Sequence, residues 1–519
     1  MGFFDNQQIW TRKPLSMFEK KADEVALKKV LGKWDLTFMG IGAIIGAGIF
    51  VLTGLAAKEF AGPALSLSFV IAAIGCTFAA LCYAEFASML PVEGSVYAYS
   101  YATMGELFAW MIGWDLILEY AMASSTVAVG WSGYFIKLLS MFGAKFPLWL
   151  VSDGFTAVSN IAEHTAKGTL AEYSSHFSSI DIPYLFGIPI GINFPAVFII
   201  AAITMVVIRG IKKASTTNWI MVIIKLLVII FVIIAGAFYI NTQNWQPFVP
   251  EREFFDGNWH YGWMGVLSGA AYVFFAYIGF DAVSTQAGEA KNPSKDIPFG
   301  IITSLVVCTI LYILVALVLT GMVHYKDIDE SSPLFSAFAQ YNMAWVGFII
   351  AVAAVAGLSS VMLVMLIGQS RIFYAMSKDG LLPKKTFGAL HPKFLTPYKS
   401  SILIGICVAV VGGLTPIDKI AKLVNMGTLW AFVLVCIAVL IMRKREPNRP
   451  RPFKTPNIYF VAPAGIVSNL AIMASLEMLT WVVFALWLAV GFVIYYVYSS
   501  KNSILGKYLK EKKLPEEVK

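Results

Sequence analysis

Charge is what this sequence lacks. Asp, Glu, Lys and Arg make up only 13% of 519 residues, against 58% hydrophobic, where a soluble chain carries about 25% charged residues. So few charges cannot clothe the two or three domains that a soluble chain of this length would form. Cysteine is sparse as well. Cys76, Cys82, Cys308, Cys407 and Cys436 all sit inside apolar runs, where none is placed for an extracellular disulfide or a metal cluster. The five histidines fall between apolar runs or at their ends, without metalloprotease spacing, and no G-x-x-x-x-G-K-[ST] loop is present to hold ATP. No Ser/His/Asp set, metal set or cofactor motif is present, so neither an enzyme nor a cofactor is expected. A removable leader is not expected either. The first 33 residues are charged, and the first apolar run is a full span without a small-residue cleavage site, the pattern of a signal anchor.

What is present is a series of long apolar runs. Asn218–Ile240 and Pro298–Val323 are continuous, with no dyad alternation, and so suit spanning helices of about 20 residues rather than barrel strands of about 10. The chain reads as an all-α polytopic membrane protein with twelve transmembrane helices, at about 34–57, 64–90, 106–139, 188–208, 217–240, 262–288, 298–323, 343–372, 400–415, 418–442, 458–476 and 479–499. The net charge of +8 is a topology signal. With both termini on one side, roughly 30 of the Lys and Arg residues share that face, among them Lys212, Lys213, Lys384, Lys385, Arg443 and Arg445, which places both termini in the cytoplasm. Basic residues divided among loops that flank spans do not make a nucleic-acid surface. Phe18–Lys33 is amphipathic and can lie on the membrane or in solvent. The segment 142–189, rich in Ser, Thr, Ala and Gly, falls on the outside.

The glycines mark where the membrane helices break. The first span reads Gly40-Ile41-Gly42-Ala43-Ile44-Ile45-Gly46-Ala47-Gly48-Ile49-Phe50. Each mid-depth glycine weakens a continuous helix by about 1 kcal/mol relative to alanine. Such a run is either a small-xxx-small packing face, with Gly42 and Gly46 as G-x-x-x-G, or an unwound stretch whose bare N–H groups face a polar ligand. The sixth span favours unwinding: Phe274-Phe275-Ala276-Tyr277-Ile278-Gly279-Phe280-Asp281 places a glycine and an ionisable residue deep in an apolar run. Five spans separate the two interruptions, as a five-plus-five inverted repeat requires. Irregular backbone survives in a bilayer only where it lines a cavity. A half-helix N-terminus suits a carboxylate and a half-helix C-terminus offers carbonyls to an ammonium, so two facing breaks suit a zwitterion.

These residues resemble a known family. Gly42–Phe50 is similar to the first-helix motif of the amino acid–polyamine–organocation (APC) superfamily transporters, nearest their cationic amino acid transporter branch. Phe274–Asp281 followed by Glu289-Ala290-Lys291-Asn292-Pro293 and Ile297-Pro298, Tyr83-Ala84-Glu85, and Pro91-Val92-Glu93-Gly94-Ser95-Val96-Tyr97 match the same branch, over roughly residues 25–500. The resemblance implies a LeuT-like fold: a first inverted repeat over 34–240, a second over 241–442, peripheral helices 11 and 12 over 443–500, and cytoplasmic segments 1–33 and 501–519. It also implies L-amino acid substrates and no need for sodium. Carried over by position, N–H groups around Ile44, Ala47 and Gly48 would hold the α-carboxylate. Carbonyls of Phe275, Ala276 and Ile278 would hold the α-ammonium. Two departures stand out: Ala47 replaces the hydroxyl residue found in some relatives, and the 142–189 segment is long for the branch.

Among ionisable residues within the spans, Lys225 lies twelve residues beyond Lys213, about 18 Å along a helix. At that depth a lysine faces protein or a water cavity, since burying it at a helix centre costs about 2.5 kcal/mol or more. By the resemblance it stands where sodium-coupled relatives bind Na⁺ between helices one, five and eight, and its ammonium would tie span five to the first break. Lys225 is therefore the residue expected to couple protons to transport, with a permanently charged strut as the alternative. Ser359 and Ser360 would support it. Asp115 and Glu119 share a helical face, and Glu119 can serve substrate, a proton route or an interhelical hydrogen bond. Asp281 can orient the second break or join the proton path, and Glu85 suits a structural or gating role. The aromatics Phe274, Phe275, Tyr277 and Phe280 are candidate gates.

The expectation is a secondary active permease for L-amino acids in the plasma membrane. It would be proton-coupled and sodium-independent, work by alternating access, and take a neutral or broad range of substrates. Its partners would be an L-amino acid, protons and the lipid bilayer. The alternatives are a proton-independent exchanger and a sensor that binds amino acids without transporting them.

Overall fold

A computed structural model of the chain describes residues 7–19, 29–46, 48–92, 94–166, 168–255, 258–328, 333–474, 476 and 478–511. Ala47, Glu93, residues 20–28 of the amphipathic stretch and the tail from 512 onward lie outside the described residues.

Helix dominates, as it must where hydrocarbon offers the backbone no hydrogen-bond partner. Strand pairing among the described residues is confined to two short hairpins, Tyr184–Leu185 with Ile188–Pro189 and Glu253–Phe255 with Asn258–His260. Among the described residues, seven helices are long and apolar enough to cross a membrane: Thr53–Met89, Lys212–Ala237, Gly262–Glu289, Pro293–Met322, Trp345–Lys378, Leu423–Arg445 and Met478–Asn502. Phe194–Ile208, Tyr398–Leu414 and Ile458–Ala474 are apolar but shorter. The Glu106–Ser140 helix is 35 residues long and carries Asp115 and Glu119.

Burial separates a centre from a periphery. In the most apolar window of Trp345–Lys378, 78% of residues are buried, against 22% for Met478–Asn502. The Glu106–Ser140 and Ala344–Lys378 helices run against each other through the centre. The first and last described segments meet: Gln8 Nε2 donates to the Ser500 carbonyl at 2.8 Å, and Lys13 pairs with Asp379 at 2.8 Å. The segment expected outside folds into short helices, Leu148–Val151, Gly154–Ala166 and Leu170–Ser175, followed by the first hairpin.

Two helices break. The Lys33–Ile44 helix ends where Ile45 turns to ψ 101°, and the chain resumes in a widened π-type turn over Gly48–Leu52. The Gly262–Val273 helix tightens to a 3₁₀ turn over Phe274–Tyr277 and breaks at Ile278 (ψ 133°) and Gly279. It continues as a ten-residue 3₁₀ segment, Phe280–Glu289. Runs of that type longer than about four residues are uncommon and often mark a hinge.

Candidate functional site

The two breaks pack against each other. Gly279 takes φ +120°, and a Cβ there would come within 2.8 Å of the Ala43 Cβ; glycine alone combines that backbone with that approach. A Cβ on Gly48 would collide with Ala276. The packing reading of the first glycines also has a counterpart, since Gly42 lies against Asn218 and Gly46 against Val361. One stretch therefore both unwinds and packs closely.

Ending a helix inside a membrane strands its last carbonyls, at the end where the helix dipole is negative. Here those carbonyls are met by side chains. Lys225, fully buried, donates to the Gly42 carbonyl at 2.9 Å, the Ile45 carbonyl at 2.7 Å and Ser360 Oγ at 2.8 Å. An ammonium has three donors, and all three are used. Ser360 Oγ in turn lies 3.0 Å from the Gly42 carbonyl. Ser359 is nearby on the same helix but accepts from Trp131 Nε1 at 2.9 Å instead.

Tyr312, which the sequence reading did not single out, touches both breaks. Its hydroxyl lies 2.8 Å from the Ile44 carbonyl and 2.8 Å from the Ala276 carbonyl. One proton serves two acceptors. No sequence signal marks it beyond a tyrosine in the middle of a long apolar run. Ile44 itself closes the helix, so it presents its carbonyl to Tyr312 while its N–H belongs to the helical ladder. That differs from the expected use of its N–H for a carboxylate. The Phe275 carbonyl accepts from the Ile278 N–H at 3.2 Å.

Between the breaks lies a cavity of about 20 Å³, room for little more than one water. Ala43, Ile44, Gly46, Gly48, Phe275 and Ile278 form its backbone side, and Ala123, Val127, Val361 and Met365 face them. Every facing side chain is apolar. Of the four candidate gate aromatics, Phe275 alone lines this space. Tyr277 instead donates to the Phe69 carbonyl at 3.0 Å, and Phe274 and Phe280 pack edge-on and tilted against Phe432.

The acids gather elsewhere, around Glu119. It lies within electrostatic reach of Asp115 and Asp281, and all three are buried. Neither oxygen of Asp115 or of Glu119 has a hydrogen-bond partner among the described residues. Asp281 accepts from Tyr120 at 2.6 Å through one oxygen, while the other has no such partner. The hydroxyl of Tyr83 beside them is likewise without one. Thr428, adjacent to Glu119, donates to the Val424 carbonyl at 3.0 Å. Glu119 and Asp281 thus meet each other but do not meet Lys225.

Glu85 is locked in place. Arg443 grips it through Nε at 2.6 Å and a second nitrogen at 2.8 Å, and the Thr455 N–H adds a third bond at 2.8 Å. Those contacts pin the 443–456 loop to the end of the Leu65–Met89 helix, as suits a structural role. Two further ion pairs went unread. Arg371 holds Glu289 at 2.6 Å with both side chains 1% exposed, and the Lys13–Asp379 pair is joined by Tyr97 at 2.9 Å. An arginine inside a 35-residue apolar helix was the available signal for the first.

Comparison with known proteins bears on this arrangement. The amino acid permease family matches residues 31–505. The branched-chain amino acid permease BcaP of Bacillus subtilis (strain 168) is 46% identical over 504 residues, 95% of this chain and 99% of the relative. A methylthioribose transporter of the same organism is 42% identical over 502 residues, 96% and 99%. The vacuolar cationic amino acid transporter 4 of Arabidopsis thaliana is 35% identical over 422 residues, 81% of this chain and 64% of the relative.

Proposed function

The chain belongs to the amino acid permease family, and on that premise we propose that it is a proton-coupled, sodium-independent permease for L-amino acids with apolar, branched side chains. It is a multi-pass membrane transporter, not an enzyme. The observation that carries the proposal is the pair of broken helices facing one another across a cavity whose opposing walls, Ala123, Val127, Val361 and Met365, are all apolar.

In this reading the substrate α-carboxylate takes the N–H groups at Ala47 and Gly48, and the α-ammonium takes the carbonyls at Ala276 and Ile278. Its side chain lies against the apolar wall. At about 20 Å³ the cavity describes the pinched form of the site, and binding requires the breaks to part. The first half-helix can move only by releasing its carbonyls from Lys225. A charged ammonium stripped of its partners is strongly unfavourable in a low-dielectric interior, so movement and protonation of Lys225 are linked. Glu119 and Asp281 carry the proton toward or away from the site, and Tyr312 yields the Ala276 carbonyl to the substrate ammonium. Twelve spans arranged as two five-helix inverted repeats, 34–240 and 241–442, with both termini in the cytoplasm and the chain in the plasma membrane, complete the proposal.

The test is uptake of a labelled panel into liposomes holding the purified protein: leucine, isoleucine, valine, alanine, arginine and methylthioribose. Each is measured with and without an inward proton gradient, in sodium and in potassium. Accumulation of the branched-chain members only with the gradient, in either salt, supports the proposal. Gradient-indifferent counterflow would leave an exchanger, and binding without accumulation would leave a sensor. Preference for methylthioribose, which the 42% identical relative makes a real competitor, would overturn the amino acid assignment.

A further inference from the structure

A second cavity, sharing no lining residue with the first, opens on the outer surface of the helix bundle. The Phe194–Ile208 and Tyr398–Leu414 helices pack against each other in antiparallel fashion and leave between them an open groove of about 660 Å³. Small residues form its floor, Ala201, Gly405, Ala409 and Gly413, and larger ones its rims, including Met205, 55% exposed, and Ile406, 58% exposed. The single polar side chain in the lining, Thr204, spends its hydroxyl on the Ile200 carbonyl at 2.7 Å. No polar group competes for an apolar occupant. Fifteen helical residues extend about 22 Å, longer than the roughly 15 Å of hydrocarbon in one leaflet.

The two ends of the groove differ. Ile192 and Leu414 mark one end; Ile208 and Ile402 mark the other, where Thr396 Oγ1 donates to the Ile208 carbonyl at 2.9 Å and joins the two segments that follow. Those segments, 208–216 and 384–401, carry Arg209, Lys212, Lys213, Lys384, Lys385, Lys393 and Lys399 and not one Asp or Glu. All seven cations are exposed, and none has an acidic partner among the described residues. This end lies on the face of both termini, because the neighbouring Trp219 and Ser215 reach Asp35 at the start of the first helix.

We propose that this groove is a binding site for an anionic glycerophospholipid of the leaflet on the terminal side, one acyl chain lying between the two helices and the phosphate held by Arg209 and Lys399. The apolar trough and the acid-free basic end match the two halves of such a lipid, and clustered cations at a membrane surface favour anionic headgroups. A zwitterionic lipid would satisfy the trough but not the seven cations.

Native mass spectrometry of the full-length protein tests the site, with dioleoylphosphatidylglycerol and dioleoylphosphatidylcholine titrated separately. The expected result is a one-lipid adduct about tenfold tighter for the phosphatidylglycerol. Arg209→Gln with Lys399→Gln should abolish that preference. Ala201→Phe, at an exposed position of the trough, should weaken both lipids, and Ala409→Phe replaces it if the first variant does not fold. Equal affinity for the two lipids would overturn the proposal. So would a preference that survives the double substitution, or a groove-filling variant that leaves binding unchanged. A species at twice the chain mass that disappears with Ala201→Phe would assign the groove to a second copy and overturn it too.

Discussion

Lys225 and Glu119 mark two buried ionisable sites of this membrane protein that are built in opposite ways. Around Lys225 every donor has an acceptor: two carbonyls of the broken first helix and the Ser360 hydroxyl. Around Glu119 the acceptors outnumber the donors, with five carboxyl oxygens of Asp115, Glu119 and Asp281 lacking a partner among the described residues. A matched charge holds one geometry in place, and losing its partners is costly. Unmatched buried acceptors are costly as they stand, and they are relieved by whatever brings a hydrogen, including a proton. In the proposed function the first site therefore follows the position of the helix break, whereas the second is the one proposed to take up and release protons.

The strongest way to break this contrast is Lys225→Met. Methionine fills similar volume but takes the ammonium donor from the Ile45 carbonyl and leaves Gly42 with only the Ser360 hydroxyl. Gradient-driven accumulation in liposomes should fall about a hundredfold, the equivalent of about 2.7 kcal/mol, while substrate counterflow persists. Retained accumulation would show Lys225 to be a strut and remove the link between movement and protonation. Loss of counterflow as well would show that the variant no longer forms the site.

Glu119→Gln sharpens the other half. The amide keeps the shape and supplies hydrogens permanently, so a site that must exchange a proton is frozen in its occupied form. Accumulation should fall about tenfold, and uptake should lose its dependence on external pH between 5.5 and 7.5. Asp115→Asn should do less, because Asp115 faces Gly427, where an added Cβ would come within 2.7 Å of its carboxyl. An unchanged pH profile in Glu119→Gln would place the proton route elsewhere.

Tyr312→Phe bears on the seam between the breaks. Removing the hydroxyl leaves the Ile44 and Ala276 carbonyls bare in the pinched form, while a bound ammonium would cover Ala276. One lost hydrogen bond is worth about 1 kcal/mol, so substrate affinity should rise about fivefold and maximal uptake should fall. Weaker binding would mean that Tyr312 assists the substrate instead of standing in for it.

Much of this was legible because bilayers constrain sequences severely. The apolar runs announce helices, and Gly42–Gly48 with Gly279 announce breaks, because few other reasons place glycine and an aspartate at mid-depth. Lys225 and Ser360 were legible for the same reason: a buried ammonium must find acceptors, and the break supplies them. Tyr312 and Lys13 were not. Tyrosine is common in apolar helices, and its role depends on which carbonyls its hydroxyl meets across 268 positions of sequence. The Lys13–Asp379 pair spans 366 positions, a separation that no local pattern encodes. Nor did pattern reveal which gate aromatic faces the cavity. Phe274, Phe275 and Tyr277 are near neighbours in one tight turn, and the pitch of that turn decides which of them points inward.

The smallest effect should come from a lysine that looks similar on paper. Lys326 reaches both oxygens of Glu253, at 2.9 and 3.1 Å, but the two side chains are 47% and 44% exposed. Hydrogen bonding to Glu253 raises the Lys326 amine above the usual lysine range. The stabilisation from such a shift is fully present below the unfolded-chain value, about 10.4, and fades only as pH climbs through the higher folded value. Across pH 6 to 8 it is therefore constant, and water and salt screen it to well under about 1 kcal/mol. Lys326→Met should leave accumulation, its pH profile and the melting temperature within error of the parent, so that burial, and not the presence of a lysine–acceptor contact, distinguishes Lys225. A large loss of accumulation in Lys326→Met would show that this exposed pair moves with the transport cycle, and the contrast between buried and exposed lysines would no longer hold.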